Sequence, residues 1–366
     1  MKYTVDRENR PVYLQLYRQL RDDIIGGAFA YDSRLPSKRL LAEETGVSTI
    51  TVEHAYALLC DEGYAEARER SGYFVIFRPT DGFAAPSAGA GMPADARSPD
   101  AGADTPGFPV SLLSRTMRRV LTNYDGAILE KAPNAGCIEL RRALKQYLAR
   151  NRGIRAGVEQ IIIGSGAEYL YGLIVGLLGR ERIYAIESPS YEKIEQVYRA
   201  AGVRYELLPL SEDGIDGAAL AASRADVLHT TPYRSFPSGV TASASKRYEY
   251  IRWAGRADRF LVESDYDSEF SVSSKPAETL FGMSDCDNVI YLNTFSKTIS
   301  PSLRVGYMVL PRQLVEPFAE KLGFYSCTVP TFEQFVLTEL IDSGDFERHI
   351  NRVRRSMRRA LSGREA

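Results

Sequence analysis

Lys297 is the residue whose type and surroundings point most directly to covalent chemistry. It lies in NVIYLNTFSKTISPSLRVGYMVLP, residues 288–311. Two apolar runs in this stretch, 288–293 and 305–310, read as buried strands bounded by polar residues. A lysine on the turn between them is poorly placed for mere solubility. Near apolar walls its ammonium would have a depressed pKa, and the free amine could attack an aldehyde. Thr294, Ser296, Thr298, Ser300 and Ser302 put hydroxyls around it, and Arg304 comes seven residues later. Hydroxyls and a guanidinium suit a phosphate dianion. The plain alternative is an exposed loop lysine beside a satisfied arginine. A lone Ser-Lys pair would favour that alternative, whereas the complete string S-K-x-x-x-x-x-x-R-x-G-Y weighs against it.

A second anion-binding candidate lies earlier. Residues 160–163 read as a short buried strand running into Gly164, Ser165, Gly166 and Ala167, then a helix over 168–178. Small residues at such a turn expose backbone N–H groups at a helix N-terminus, which suits phosphate. Alone, a glycine turn feeding a helix is more often structural.

Both stretches need a scaffold. From about Phe108 onward, helices and strands alternate. Helices are expected over 117–122 and 138–150, strands over 183–187, 227–231 and 260–262, and helices over 332–343 and 345–360. That alternation implies an α/β fold with a mainly parallel sheet. Arginines at 348, 352, 354, 355, 358 and 359 read as the polar side of the last helix rather than as a nucleic-acid tail.

The first 78 residues differ in kind. Tyr13, Leu16, Leu20 and Ile24 recur at helical spacing, and Gly26 and Gly27 end that helix. Ser37 is a plausible N-cap for a helix over 38–45, and Ser48 for a second over 49–61. The inward face of the second would be Val52, Ala55, Tyr56 and Leu59. Strands are expected over 65–68 and 73–77. Helix, helix, turn, helix, β-hairpin is the winged helix-turn-helix order. A small helical dimerisation module is the alternative. Residues 79–108 are rich in Ala, Gly, Pro and Asp and read as a flexible linker. A coil of about 30 residues spans on the order of 30 Å. The expected domains are therefore 1–78, the linker 79–108, and 109–366.

Composition excludes little but usefully. The 366 residues carry 46 Lys+Arg against 47 Asp+Glu, so bulk charge singles out neither nucleic acid nor membrane. Cys60, Cys137, Cys286 and Cys327 are scattered, which argues against a disulfide framework and a zinc site. No metal is expected. No signal peptide opens the chain and no apolar run is long enough to span a bilayer, so a cytoplasmic protein is expected.

The first domain resembles the DNA-binding domain of the GntR family. Its L-P-S-x-R-x-L-A signature stands at residues 35–42, and its wing glycine is Gly72. The resemblance implies that Ser37, Arg39, Ser48, Thr49, Thr51 and His54 touch phosphates and base edges of double-stranded DNA. The wing tip near Arg70 and Gly72 would enter the minor groove. The family usually carries arginine where this chain has Thr49, and arginine is the best bidentate reader of guanine. Residues 1–78 hold 11 Lys+Arg against 12 Asp+Glu, so non-specific affinity should be modest.

The Lys297 stretch resembles the lysine motif of fold-type I aminotransferases, which bind pyridoxal 5'-phosphate. There the matching lysine forms the Schiff base. Arg304 and Thr294 match the phosphate-holding residues, and Ser296 belongs to the same hydroxyl-rich turn. The resemblance further assigns Ser165, Gly166 and Ala167 to the cofactor phosphate, Tyr191 to stacking on the pyridine, and Tyr266 to its phenolic oxygen. The plain alternative for Tyr191 is a surface tyrosine opening a helix. Phe236 stands where aminotransferases have an asparagine for that oxygen. The order head, linker, body resembles the MocR/GabR-type regulators, which share this aromatic substitution. Their usual E-D-D-Y-D-S-E-F reads E-S-D-Y-D-S-E-F here. Gapless matching puts the pyridine-nitrogen aspartate on Ser264, and strand alternation points Asp265 away. A local bulge would instead let Asp265 serve. The relatives continue into a small subdomain with a carboxylate-gripping arginine, which the chain is expected to lack.

The expectation is a DNA-binding regulator, a homodimer, with pyridoxal phosphate on Lys297 as part of a sensor for an amine or amino acid. The alternatives are a working aminotransferase with a DNA-binding head, and a decayed, cofactor-free DNA-binding dimer.

Overall fold

Met1–Arg97 and Ser98–Ala366 form two compact units. The computed structural model describes residues 3–6, 11–68, 71–77, 107–256, 258–271 and 278–362. Arg70 and almost all of the expected linker lie outside the described residues.

In the first unit, helices α1 (Val12–Ile25), α2 (Lys38–Thr45) and α3 (Thr49–Asp61) precede a hairpin of β1 (Ala65–Arg68) and β2 (Gly72–Val75). Both expected caps form. Ser37 Oγ accepts from the Leu40 amide at 3.2 Å, and Ser48 Oγ from the Thr51 amide at 3.1 Å. Gly46 takes φ +65° between α2 and α3, a left-handed turn that glycine enters without steric cost. Leu16, Leu20, Ile24, Leu41, Val52, Ala55, Tyr56, Leu59 and Val75 close one core. The unit is a winged helix-turn-helix. Its second strand starts one residue earlier than expected and ends at Val75, because Gly72 pairs across to Arg68.

The second unit is an α/β layer structure. In chain order it contains α4 (Val110–Asn123), α5 (Ile138–Asn151), β3 (Ile161–Gly164), α6 (Ala167–Leu178), β4 (Ile183–Ser188), α7 (Glu192–Ala200), β5 (Arg204–Ser211), β6 (Gly214–Ile215), α8 (Gly217–Ala222) and β7 (Val227–Thr230). Next come α9 (Ala244–Ala254), β8 (Phe260–Asp265), α10 (Leu280–Met283), β9 (Val289–Thr294), β10 (Gly306–Val309), α11 (Val315–Leu322), α12 (Thr331–Asp342) and α13 (Asp345–Ser362). The strands make one sheet in the order β3-β10-β9-β8-β7-β4-β5-β6. Strand β10 runs antiparallel to both neighbours and β6 antiparallel to β5, while the other pairings are parallel. This is the expected mainly parallel sheet.

Period-two alternation sends the strand side chains to two cores. Ile162, Ile290, Leu292 and Met308 pack with α6, α7 and α11 on one face. Ile161, Ile163, Tyr291, Tyr307 and Val309 pack with α5, α12 and α13 on the other. Two elements run three or more residues beyond their expected bounds. Helix α4 begins at Val110, seven residues before the expected Met117, because Thr116 rather than an aliphatic residue shares its buried stripe with Val120. Strand β8 runs on to Asp265 instead of stopping at Val262, so three of its residues are buried polar groups. No helix among the described residues is long and apolar enough to cross a membrane.

Candidate functional site

The parallel strands β3, β4, β7, β8 and β9 end at one edge of the sheet, where ligands of open α/β sheets bind. Every stretch singled out in the body leaves from that edge. Ser165, Gly166 and Ala167 come after β3, and Tyr191 after β4. Phe236 comes after β7, Tyr266 after β8 and Lys297 after β9, while Arg304 precedes β10.

The candidate anion cradle is assembled from two of them. Gly166 has φ +91°, and a Cβ there would stand 3.0 Å from a terminal nitrogen of Arg304. Glycine therefore lets the guanidinium lie against the first turn of α6. Arg304 itself is held at φ +48°, and its Nη2 donates to Glu168 Oε2 at 2.8 Å. Glu168 also pairs with Lys193 at 3.2 Å. Burial would raise the Glu168 pKa, but its own backbone N–H at the helix start and the Arg304 guanidinium outweigh that and hold it below the usual value. A carboxylate thus rests where an anion is favoured. The Ser165 amide donates to Thr328 Oγ1 at 3.1 Å, a contact that no sequence pattern announced. Thr294 is buried at the end of β9 and Ser296 is half-buried on the turn.

The amine lies at the same sheet edge as this cradle. Lys297 Nζ is 2.7 Å from Asp267 Oδ1 and 5.0 Å from the ring centroid of Tyr266. Asp267 is buried and also binds Arg234 at 2.9 Å, so one carboxylate bridges two cations. Asp267 gave no sequence signal of its own, although it directly succeeds Tyr266. Tyr191 and Phe236 meet edge to face with ring centroids 6.4 Å apart.

Strand β8 sends Ser264 and Asp265 to opposite faces of the sheet. Asp265 pairs in register with Asn293 and turns toward the α5 side. There it binds the buried Arg152 guanidinium, and Tyr291 donates to it at 2.7 Å. No bulge intervenes, since the β8–β9 register is unbroken from Leu261 to Asp265. Ser264 turns toward α6. Its Oγ lies 2.7 Å from His229 Nε2 and 3.3 Å from the Tyr171 hydroxyl. His229 and Arg152 gave no sequence signal, because their partners are remote in the chain.

In the head, Ser37, Arg39, Ser48, Thr49 and His54 are at least partly open to solvent, and Thr51 is half-buried. Ser37 and Ser48 spend one acceptor each on caps. The outward face of α3 also carries Glu53, which pairs with Lys38 at 2.8 Å. Arg39 has no carboxylate partner among the described residues. Gly72 has φ +110° and lies against the Arg34 guanidinium.

Comparison with known proteins agrees with this geometry. The GntR family of bacterial regulatory proteins matches residues 12–75, and the aminotransferase class I and II family matches residues 113–364. The probable rhizopine catabolism regulatory protein MocR of Rhizobium meliloti is 31% identical over 367 residues, covering 94% of this chain and 74% of MocR. This chain belongs to the MocR-type regulator family. The HTH-type transcriptional regulator YdeL of Bacillus subtilis is 31% identical over 358 residues, covering 95% of this MocR-type chain and 77% of YdeL. The crystal structure of Pyrococcus horikoshii kynurenine aminotransferase superposes with a TM-score of 0.62 at 26% identity. That match covers 69% of this chain and 65% of the other. The body of this MocR-type chain therefore has the aminotransferase fold, and its GntR-type head implies DNA binding.

Proposed function

We propose that this MocR-type protein is a transcriptional regulator whose head binds duplex DNA and whose body binds pyridoxal 5'-phosphate at Lys297 to sense an amine or amino acid. One observation carries the reading: Lys297, the Arg304–Gly166 cradle and the aromatic pair Tyr191–Phe236 leave the same sheet edge, in a chain that also carries a GntR-type head. The residues fit the cofactor. Gly166 leaves room beside the helix N-terminus, and Glu168 already occupies the guanidinium as an anion would. Arg304, Ser165, Gly166, Ala167, Thr294 and Ser296 would hold the phosphate, Tyr191 would cover the ring, and Tyr266 would reach its oxygen.

When bound, the cofactor supplies an aldehyde carbon for amines and a ring that draws electrons. The chain's own residues govern the outcome. Asp267 holds the Lys297 ammonium and must let it go for the amine to react. Arg234 keeps its own contact with Asp267 when that happens. Phe236 presents carbon where a hydrogen-bond donor would steady the ring oxygen. Ser264 presents a hydroxyl rather than a carboxylate. These two substitutions favour exchange of amines over their conversion. A sensor requires no more, because differential affinity for two arrangements is enough to shift a population.

The protein is proposed to work as a homodimer in the cytoplasm, with DNA half-sites spaced by whole helical turns. Footprinting on the DNA upstream of its own gene and across the genome tests the head. A protected site supports the regulator; its absence everywhere contradicts it. Incubation with amino acids and 2-oxo acids tests the body. Robust turnover would make the protein an aminotransferase with a DNA-binding head.

A further inference from the structure

Behind the sheet edge lies a buried chain of hydrogen bonds that ends on Ser264. The Tyr198 hydroxyl is 2.7 Å from His229 Nδ1, and His229 Nε2 is 2.7 Å from Ser264 Oγ. The Tyr171 hydroxyl reaches the same Oγ at 3.3 Å. All four side chains are buried. His229 stands across from Val262 in the β7–β8 register, so it shares the face of Ser264. Tyr171 lies one helical turn beyond Ala167 on α6. The helix whose first turn makes the anion cradle thus touches Ser264 with its second.

Four hydrogens, one each on Tyr198, neutral His229, Ser264 and Tyr171, serve three contacts, so one is left over for a further acceptor. Tyr198 keeps its proton, because burial raises its pKa well above the ordinary value. Its hydroxyl has His229 Nδ1 as its partner among the described residues, so it donates to that nitrogen. With an acceptor beside Ser264 all four hydrogens are satisfied only in this direction, because a proton on Nδ1 would leave the buried tyrosine hydrogen without an acceptor. His229 is therefore the Nε2–H tautomer. It stays neutral, since burial pushes its pKa down to about 3. In that arrangement Nε2–H donates to Ser264 Oγ, and the Tyr171 hydroxyl, whose contact with Oγ is compatible with either direction on its own, donates to the second lone pair. A serine hydroxyl has two lone pairs and one hydrogen. With both lone pairs filled, Ser264 can act on a ligand only by donating.

Resting on the cofactor binding proposed for Lys297, we propose that Ser264 donates its hydrogen to an unprotonated ring nitrogen of bound pyridoxal phosphate, with Tyr198, His229 and Tyr171 as positioning residues. The site then selects a neutral pyridine. A pyridinium would need an acceptor, and the nearby carboxylates among the described residues are engaged elsewhere. Asp265 is turned to the other face and bound by Arg152. Glu187 is taken by Thr230, Thr231 and Ser235. Asp267 is taken by Lys297 and Arg234. A neutral ring draws electrons weakly, which fits a site that exchanges amines without converting them.

The test is the nitrogen-15 NMR resonance of ring-labelled pyridoxal phosphate bound to the full chain. A neutral pyridine nitrogen resonates far downfield of a pyridinium, whatever the protein's stability. The wild type should give the neutral resonance. Ser264→Asp should move it to the pyridinium position. Ser264→Ala should keep the neutral resonance and weaken cofactor binding by about fivefold, the size of one net hydrogen bond. The alanine variant keeps the proposal open to refutation even where the aspartate variant does not fold. A pyridinium resonance in the wild type, or unchanged affinity in Ser264→Ala, overturns this inference and leaves the cofactor reading intact. Absence of any bound cofactor in the wild type overturns both.

Discussion

At Arg304 two demands meet in one side chain. It binds Glu168 and would have to exchange that carboxylate for a phosphate. A hydrogen bond to a charged group contributes about 1.5–3 kcal/mol. About half of the Arg304 side chain faces solvent. Screening therefore puts the expected loss for Arg304→Ala at the low end, about 1.5 kcal/mol in cofactor affinity. Equilibrium titration of the cofactor's visible absorbance reads it. Gly166→Ala should weaken binding as well, because its φ of +91° disfavours any side chain and the new Cβ would press on the guanidinium. An unchanged affinity in both variants would show that the phosphate is held elsewhere. Lys297, the Ser-Gly-Ala turn and Arg304 were legible in the sequence because their chemistry is local to short strings. Asp267, Glu168, His229 and Arg152 were not, because each acts through a partner that only the fold brings near.

The elements carry buried charge as well as a site. Glu263 on β8 accepts from the Leu280 and Phe281 amides at the start of α10, both at 2.9 Å. Burial first, and then the Asp265 charge, raise its pKa from 4.5 to about 7. Between those values the native protein holds a proton that the unfolded chain has lost. Stability contributed by this group therefore falls as pH rises from about 4.5 to about 7. His229 has the opposite sign: its lowered pKa makes stability rise with pH up to its ordinary value of 6.5. The difference between Glu263→Gln and wild type isolates the glutamate. The variant, which mimics the protonated side chain, should gain in relative thermal stability as pH goes from about 5 to about 8. A constant difference would mean that Glu263 does not titrate in that window. Alternation and length made the parallel sheet and the head's helices readable. The full extent of β8 was not, because Glu263, Ser264 and Asp265 look like a polar loop until their partners fold around them. Helix α4 hid for a similar reason, with a threonine in its buried stripe. In the head the cap residues were readable, and Ser48→Ala should cost about 1 kcal/mol of that unit's stability, measured by denaturant unfolding.

At the scale of the molecule, a head with nearly balanced charge is joined to a body proposed to hold a charged cofactor. With 11 Lys+Arg against 12 Asp+Glu in residues 1–78, and Glu53 on the outward face of α3, DNA affinity should depend on salt less steeply than in a strongly basic protein. Arg39→Ala should weaken binding to every sequence if Arg39 contacts phosphate, and relax one position if it reads a base. A salt dependence as steep as that of a basic head would contradict the charge argument. The order head, linker, body was readable because each segment has its own composition and period. Above all, the body of this regulator is proposed to use Lys297 to hold pyridoxal phosphate. Borohydride reduction of the cofactor-loaded chain, with peptide mass spectrometry of the product, tests it most directly. The reduced cofactor's mass is expected on the peptide that contains Lys297, with its loss in Lys297→Ala; that mass on another lysine, or on none, would contradict the proposed role of Lys297.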